Sequence, residues 1–296
     1  MGLAAYAAVA RAPFLLLPIT LVAVGTGAAI YLGMQDWAHA GLALLGLLGV
    51  HVTVNALNEA SDYRSGIDFN TERTPFSGGS GTLPAGLLSY RKAVAVGLTG
   101  GAIGIAVGIY FLTVVGTPLV PILAIGALAA LGYSGILGRA YVGEFFAGLG
   151  LGALPVVATT LVQAGAYESV AIAASLPAFF MTFNLLLLNE FPDEEADRTG
   201  GRRNLVLLMG RIRAAMLYVV IALLVPMSLI AGVVLDYLPT LALAAIAPSF
   251  LLVPVFRWAF TQPNEPVPIP GLGSNVIWNL STNVVLAVAL ALSRAG

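Results

Sequence analysis

Residues 169–198 read SVAIAASLPAFFMTFNLLLLNEFPDEEADR, and they join an uncharged apolar run to a short acidic segment. A helix needs about 20 mostly apolar residues to cross a bilayer, and the run 169–189 has that length. Similar runs recur throughout the chain of 296 residues, which is 59% hydrophobic and only 9% charged. A soluble globular protein carries about 25% charged residues. The composition therefore excludes a water-soluble enzyme and indicates one integral membrane domain over residues 1–296.

Other classes of protein are excluded by the same counts. The chain has no cysteine, so a disulfide framework, a thiol nucleophile and a cysteine metal site are all excluded. Its formal net charge is -1 and it has no basic run, so we expect no nucleic-acid partner. Its apolar content is too high for a disordered protein.

The apolar runs predict an all-α integral membrane bundle of nine transmembrane helices. Interior Gly and Pro residues are compatible with these spans, because neighbouring membrane helices satisfy the freed backbone groups and Gly permits close packing. The predicted spans are 14–34, 39–60, 92–112, 118–137, 142–163, 169–189, 213–234, 238–258 and 274–294.

The Lys and Arg residues predict the orientation of these spans. With nine spans, all of them except Arg294 fall on the side that holds the N-terminus. Because positively charged loops stay in the cytoplasm, we expect the N-terminus inside and the C-terminus outside, in a prokaryotic cytoplasmic membrane. Most acidic residues fall on the same side, in loop regions near 59–91 and 190–212.

Two acidic segments close the second and sixth spans and share the pattern Asn-Glu-x-x-Asp. The first is Asn58-Glu59-Ala-Ser-Asp62, and the second is Asn189-Glu190-Phe-Pro-Asp193. Each stands at the same place relative to its span, four helices apart. This repeat predicts two like-oriented four-helix halves followed by a ninth helix.

The spacing of these polar residues predicts two columns of oxygen ligands. Residues four apart share one face of an α-helix, about 6 Å apart along its axis. His51 and Asn55 extend the first column toward the membrane interior, and Pro192 is expected to break or kink the second helix. The columns comprise Asn58 and Asp62 in the first segment and Asn189, Asp193 and Asp197 in the second.

A hard cation explains these columns better than solvated loop charges do. A carboxylate at the centre of a bilayer costs about 2.5–3.5 kcal/mol on insertion scales, so acids at a membrane helix favour a functional interpretation. Mg²⁺ is held by one or two carboxylates together with substrate phosphates. The pattern therefore predicts a Mg²⁺ site.

Basic and Gly-rich elements accompany the acids. The loop after the second span reads RTPFSGGSGT from Arg73 to Thr82, and such a loop can turn backbone N–H groups toward an anion. The loop after the sixth span reads RTGGRR from Arg198 to Arg203. Gly-rich turns are common and arginines also set topology, but the combination with two acidic columns predicts a site for Mg²⁺ and a diphosphate.

These segments resemble the UbiA-type membrane prenyltransferases, which have nine helices and two Asp-rich motifs at the ends of helices 2 and 6. The first family motif, roughly Asn-Asp-x-x-Asp with a further acid, corresponds to residues 58–62 with Asp68. The second, Asp-x-x-x-Asp, corresponds to residues 193–197. Glu59 departs from the usual Asp, and Gly66 stands where many members carry an acid. The 1,4-dihydroxy-2-naphthoate prenyltransferases of menaquinone synthesis are the branch that the motifs resemble most.

The resemblance implies Mg²⁺-dependent transfer of a polyprenyl group from polyprenyl diphosphate to an aromatic acceptor, with the prenyl tail in membrane lipid. Catalytic roles are then expected for Asp62, Asp193, Asp197, Tyr133 and His51. The expected metal ligands are Asn58, Glu59, Asp62, Asp68, Asn189, Asp193 and Asp197. Substrate contacts are expected from Asn55, Arg64, Arg73, Ser77, Arg139, Glu144, Arg198, Arg202 and Arg203.

Several alternatives stay open at this point. The same fold could serve another quinone precursor, a lipid ether or a terpene cyclisation. A membrane cation transporter is less favoured, because its acids usually lie near the bilayer midplane and its repeats are often inverted. His51 is either a general base or a hydrogen-bonded interior side chain, and the Lys that often accompanies Tyr133 in the family is replaced here by Arg139.

Overall fold

The computed structural model describes residues 2–71, 73–132 and 137–294, and this part of the chain contains helices and no strand. The chain also forms 3-10 turns at Ala12–Leu15, Thr117–Leu119, Leu137–Arg139 and Thr240–Leu252, and a π-helical turn at Leu149–Ala153. The α-helices are α1 (Leu3–Val9), α2 (Leu16–Tyr31), α3 (Trp37–Ser65), α4 (Ile67–Asn70), α5 (Tyr90–Val115), α6 (Val120–Gly132), α7 (Gly143–Gly148), α8 (Leu154–Ala164), α9 (Ser169–Thr199), α10 (Leu205–Met209), α11 (Arg211–Val234), α12 (Val253–Thr261) and α13 (Ile269–Leu292).

Eight helical stretches are long and apolar enough to cross a membrane, which confirms the predicted all-α membrane fold. A shorter apolar stretch, Thr117–Gly132, lies where the fourth span is predicted and ends at residues outside the described part. The count of nine therefore stays a prediction. The eight stretches are Ala12–Tyr31, Trp37–Ser65, Tyr90–Val115, Gly143–Ala164, Ser169–Thr199, Arg211–Val234, Thr240–Thr261 and Ile269–Leu292.

The helices α3 and α9 are longer than a bilayer requires. They have 29 and 31 residues, so about two to three turns extend past the 20 residues that span the hydrocarbon core. Those extra turns carry the two acidic segments. Pro192 does not break the helix, because α9 continues to Thr199, and helices packed in a membrane tolerate an interior proline. The alternative expectation, a kink at Pro192, stays a prediction.

A glycine contact sets the distance between α3 and α5. A Cβ atom added to Gly100 would lie 2.5 Å from the backbone oxygen of Gly49, so the two backbones touch. The Thr53 hydroxyl donates to the backbone oxygen of Gly97 across this interface, at 2.9 Å. Small residues that let helices approach closely are the usual means of association in lipid.

The second half of the chain packs around an apolar core. Met181, Leu187, Tyr218 and Trp278 are fully buried in it, and they belong to α9, α11 and α13. On the other side of α13, the backbone of Ala287 touches α2 at Gly27, where an added Cβ would lie 2.6 Å from the Ala287 oxygen. This contact joins the first long apolar helix to the last.

We predict that Gly100→Ala destabilises the protein, because the added methyl group would collide with the backbone of α3. The matched control is Gly101→Ala on the next residue, where an added Cβ would meet its nearest neighbour, the Thr53 hydroxyl, at 3.5 Å. Alanine is favoured over glycine by up to about 1 kcal/mol in a helix, so the control is expected to be neutral or stabilising. Thermal unfolding in detergent measures both; equal unfolding temperatures would contradict the close packing of α3 and α5.

Candidate active site

The two acidic segments face each other across the guanidinium of Arg202. Its Nη2 atom donates to Asn58 Oδ1 at 2.9 Å and forms an ion pair with Asp62, both on α3. Its Nη1 atom lies 3.6 Å from Asp197 Oδ1 on α9. Asp62 and Asp197 therefore both lie within reach of a single cation.

A tight turn after α9 brings Arg202 to this position. Gly201 has a φ of 76°, a left-handed conformation that glycine adopts without strain. The turn is closed by the backbone N–H of Arg202, which donates to the backbone carbonyl oxygen of Asp197 at 2.9 Å. Asn204 completes it: its amide donates to Asp197 Oδ2 at 2.9 Å, and its Oδ1 caps α10 by accepting from Leu207 N. The turn at Gly200 and Gly201 thus places Arg202 over the C-terminal end of α9.

Glu59 is fully buried and its two oxygens are both engaged. Arg11 Nε donates to Oε1 at 3.0 Å, Ser80 N donates to the same atom at 2.6 Å, and the Ser80 hydroxyl donates to Oε2 at 2.7 Å. The side chain thus ties the N-terminal segment and the Gly-rich loop to α3. Its predicted role as a metal ligand stays a prediction.

Sequence reasoning missed Arg11, which lies beside the acids. Its backbone has a φ of 50°, a region that few non-glycine residues occupy, and the Asn55 amide holds the preceding residue by donating to Ala10 O at 2.9 Å. Arg11 stands directly before the first span, and this position in the sequence was the feature from which its place near the acids could have been predicted. Asn55 was predicted to contact substrate, and in the structure it fixes this segment.

The Gly-rich loop packs against acids of both segments. Gly78, Gly79 and Gly81 have φ values of 70–82°. The backbone N–H of Gly78 hydrogen-bonds Asp193 on α9, and a Cβ added to Gly79 would lie 2.7 Å from Asp68 Oδ1. The loop can approach the carboxylates this closely because it has no side chains there. Ser77 is buried within the loop, where its hydroxyl lies 2.8 Å from that of Thr74.

Three carboxylate oxygens in this region are buried and make no hydrogen bond within the described residues: Asp68 Oδ2, Asp193 Oδ1 and Asp197 Oδ1. Burial, together with the neighbouring carboxylates of Asp62 and Glu59, raises the pKa of Asp68 to about 7. A nearby cation would favour the ionised form. The group is therefore poised to bind positive charge.

These oxygens fit a Mg²⁺ ion that shares its ligands with a substrate. Within residues 2–71, 73–132 and 137–294, no three acidic or histidine side chains stand close enough to hold an ion alone. Mg²⁺ seldom needs such a cluster, because it binds one or two carboxylates and completes its shell with water and phosphate oxygens. The donor set is all oxygen, as this hard ion requires.

A second pair of acids, Glu144 and Glu190, lies behind the site. Both are buried, and each carboxylate is close enough to affect the other. Glu144 Oε1 accepts from Leu205 N at 2.6 Å, so it binds the start of α10. Glu190 was not predicted as a site residue, although it belongs to the repeated Asn-Glu pair that marks the segment.

Several arginines that were predicted to bind substrate make other contacts in the structure. Arg198 is exposed and pairs with Glu194 at 2.9 Å on its own helix. Arg73 donates to the backbone oxygen of Asp68 at 2.8 Å, and the Arg203 guanidinium lies 5.9 Å from the ring centre of Tyr141. The side chains of Arg64 and Arg139 are exposed as well. The structure thus brings Arg202 alone of these to the acidic columns.

The remaining predicted residues lie apart from this contact. His51 is buried two turns below Asn58, and its Nδ1 atom lies 3.1 Å from Leu47 O. This geometry favours the interior hydrogen-bonded role. Asn189 is half-buried on α9, and Tyr133 lies outside the described residues.

Comparisons with known proteins place the chain in a family. Residues 6–269 match the sequence model of the UbiA prenyltransferase family. The 1,4-dihydroxy-2-naphthoate octaprenyltransferase of Bacillus subtilis (strain 168) is 27% identical over 194 residues. That alignment covers 64% of this chain and 60% of the relative, so it spans less than two thirds of that protein.

Solved structures share the fold at low sequence identity. A UbiA homolog from Archaeoglobus fulgidus bound to GPP and Mg²⁺ is 16% identical with a TM-score of 0.70, covering 98% of this chain and 100% of that one. A UbiA homolog from Aeropyrum pernix K1 is 17% identical with a TM-score of 0.71, covering 94% and 98%. With the family match extending from residue 6 to 269, this chain belongs to the UbiA prenyltransferase family.

Proposed function

We propose that the protein transfers a polyprenyl group from a polyprenyl diphosphate to an aromatic acceptor in a Mg²⁺-dependent reaction. The observation that carries this proposal is the Arg202 bridge between Asp62 and Asp197. Acids from two distant segments contact one guanidinium, which supports a cation site shared between them. The name of the Bacillus relative supports 1,4-dihydroxy-2-naphthoate as the acceptor.

Charge balance explains why acids and arginines occur together. A diphosphate would be repelled by the carboxylates of Asp62, Asp68, Asp193 and Asp197 unless cations stood between them. Bound Mg²⁺ would be held by these oxygens and would balance the negative charge of the leaving diphosphate. Arg202, once released from Asp62, can donate two parallel hydrogen bonds to a phosphate.

The transfer needs an ionisation followed by a bond to carbon. The allylic C–O bond breaks and its electron pair leaves with the diphosphate. An electron-rich ring carbon of the acceptor then bonds to the allylic cation, and that carbon loses its proton or, where it carries the carboxylate, CO₂. The chain's own contribution is to hold the diphosphate and to exclude water, which would otherwise capture the cation.

The Gly-rich loop contributes to that exclusion of water. Phe76 at its tip packs onto α13, where a Cβ added to Gly273 would lie 3.2 Å from the ring. With Ser80 bound to Glu59 and Gly78 bound to Asp193, the loop spans both acidic segments. We propose that it covers the diphosphate from the loop side.

The function is tested by incubating purified protein with Mg²⁺, a labelled polyprenyl diphosphate and a panel of aromatic compounds that includes 1,4-dihydroxy-2-naphthoate. We expect a prenylated aromatic lipid and free diphosphate, identified by mass spectrometry. Release of diphosphate without an aromatic product would instead favour a cyclase. No turnover of the diphosphate with any acceptor would overturn the proposal.

Asp62→Ala and Asp193→Ala are each expected to reduce turnover by roughly 100-fold or more, which is typical of losing one group that stabilises developing charge. Glu195→Ala is the matched control, because Glu195 lies on the same helix end with its side chain 82% exposed. Product formation is measured on folded, purified variants. Near-normal turnover in either aspartate variant would exclude that acid from the site.

Removal of divalent metal is expected to abolish turnover, and added Mg²⁺ is expected to restore it, because all proposed ligands are oxygens. The measurement is product formation after thorough chelation and dialysis. Full activity without metal would remove Mg²⁺ from the proposed reaction.

We further propose that the acidic site opens to the cytoplasm, in line with the positive-inside rule. Single cysteines test this cleanly, since the chain has none of its own. Ala85→Cys lies in an exposed loop on the side of the acids, and Ala166→Cys lies in an exposed loop at the other ends of the spans. A membrane-impermeant thiol reagent is expected to label position 85 from the cytoplasmic face alone and position 166 from the opposite face. Labelling of both from one face would refute the orientation.

A further inference from the structure

The last helix carries a polar stripe on its buried face. Asn275, Asn279, Thr282 and Asn283 are each at most 1% exposed, and their spacing of three and four residues places them on one side of α13. The stripe begins about 9 Å and ends about 21 Å from the start of the helix at Ile269. It therefore lies inside a helix that is long and apolar enough to cross the membrane.

Hydrogen bonds connect the stripe to two other helices. The Tyr218 hydroxyl of α11 donates to Asn275 Oδ1 at 2.8 Å. Asn184 of α9 donates to the backbone oxygen of Tyr218 at 2.9 Å. Within the stripe, the Asn283 amide donates to Asn279 Oδ1 at 2.9 Å. The polar groups thus form two hydrogen-bonded sets on one face of α13, one that joins it to α11 and α9 and one within the helix.

Many polar atoms of this region have no partner in the described part of the chain. Two are donors, Asn279 Nδ2 and Trp278 Nε1, and three can accept, Thr282 Oγ1, Asn283 Oδ1 and Asn184 Oδ1. Buried polar atoms in proteins are nearly always hydrogen-bonded, because leaving one unpaired costs free energy. Polar side chains within a membrane helix that have no hydrogen-bond partner in the protein indicate a binding function.

The chemistry of the atoms defines that ligand. The stripe carries no charge, so it cannot balance the charge of a diphosphate, a carboxylate or a metal ion. Its unpaired donors, Asn279 Nδ2 and Trp278 Nε1, suit a neutral carbonyl or hydroxyl oxygen, and its unpaired acceptors suit a hydroxyl that donates. The ring of Trp278 adds a flat apolar surface. A ligand reaching this depth must also dissolve in the membrane.

We propose that the stripe on α13 binds the neutral, oxygen-substituted ring of a hydroquinone or quinone. This inference rests on the proposed function: the acceptor carries a carboxylate, so the neutral ring is that of the prenylated product, formed when the bonding carbon loses CO₂. The stripe is then a subsite separate from the acidic columns. It holds the ring by uncharged hydrogen bonds, while the columns hold the diphosphate by charge.

Binding is measured without turnover, by quenching of tryptophan fluorescence with 2-methyl-1,4-naphthoquinone and with the same ring carrying a short prenyl chain. We expect Asn279→Leu and Asn283→Leu to weaken binding at least tenfold. The control is Ser281→Ala on the same helix, whose hydroxyl bonds to its own helix at Ile277 O, 2.6 Å away. Trp278→Phe is expected to remove most of the quenching, and stronger binding of the prenylated ring would identify the ligand as the product.

A third variant protects the test against misfolding. Thr282→Val keeps the side-chain shape and removes only the unpaired hydroxyl, so it is expected to keep the unfolding temperature and to weaken binding severalfold. Wild-type affinity in all three stripe variants would overturn the inference, as would higher unfolding temperatures with unchanged affinity. Mg²⁺-dependent binding of a prenyl diphosphate analogue is measured in parallel. If the wild-type protein does not bind this analogue in the presence of Mg²⁺, the result contradicts the proposed function; the stripe is judged by the ring-binding measurements alone.

Discussion

Carboxylates from two separate helices are buried together at one end of this bundle, and such charges are tolerated only beside a cation. Arg202 meets that requirement between Asp62 and Asp197. Much of the local architecture serves this arrangement. The helices α3 and α9 run past the span length to carry the acids, and the turn at Gly201 returns the arginine over them. The pairing of acids and arginine allows a substrate that brings its own charges to replace one set of contacts with another.

A second layer of contacts holds this region in place. Glu59 is one methylene longer than the aspartate usual in the family, and it reaches both Arg11 and Ser80. One buried carboxylate thereby joins the N-terminal segment, the Gly-rich loop and α3. The two acids behind the site, Glu144 and Glu190, extend the charged region toward α7 and α10. Glu59 has both of its oxygens engaged, whereas Asp68, Asp193, Asp197, Glu144 and Glu190 each keep one buried oxygen without a hydrogen bond among the described residues.

The sequence predicts the features that depend on local periodicity. Span positions follow from apolar runs, and the shared faces of residues 58 and 62 and of 193 and 197 follow from helix geometry; the fold and the family are confirmed. Contacts between distant segments could not be predicted in this way. The roles of Arg11 and Ser80 depend on tertiary packing, and the stripe on α13 emerges only when burial shows that its amides avoid solvent. A local rule also did not predict that α9 continues through Pro192.

The central claim is that the two acidic segments form one cation site. It is tested most directly by anomalous X-ray scattering from crystals grown with Mn²⁺ and an unreactive prenyl thiolodiphosphate. We expect Mn²⁺ peaks bordered by Asp62 or Asp68 on one side and by Asp193 or Asp197 on the other, with Arg202 moved onto a phosphate. Peaks found only at exposed carboxylates such as Glu195, with the Arg202 bridge unchanged, would contradict it.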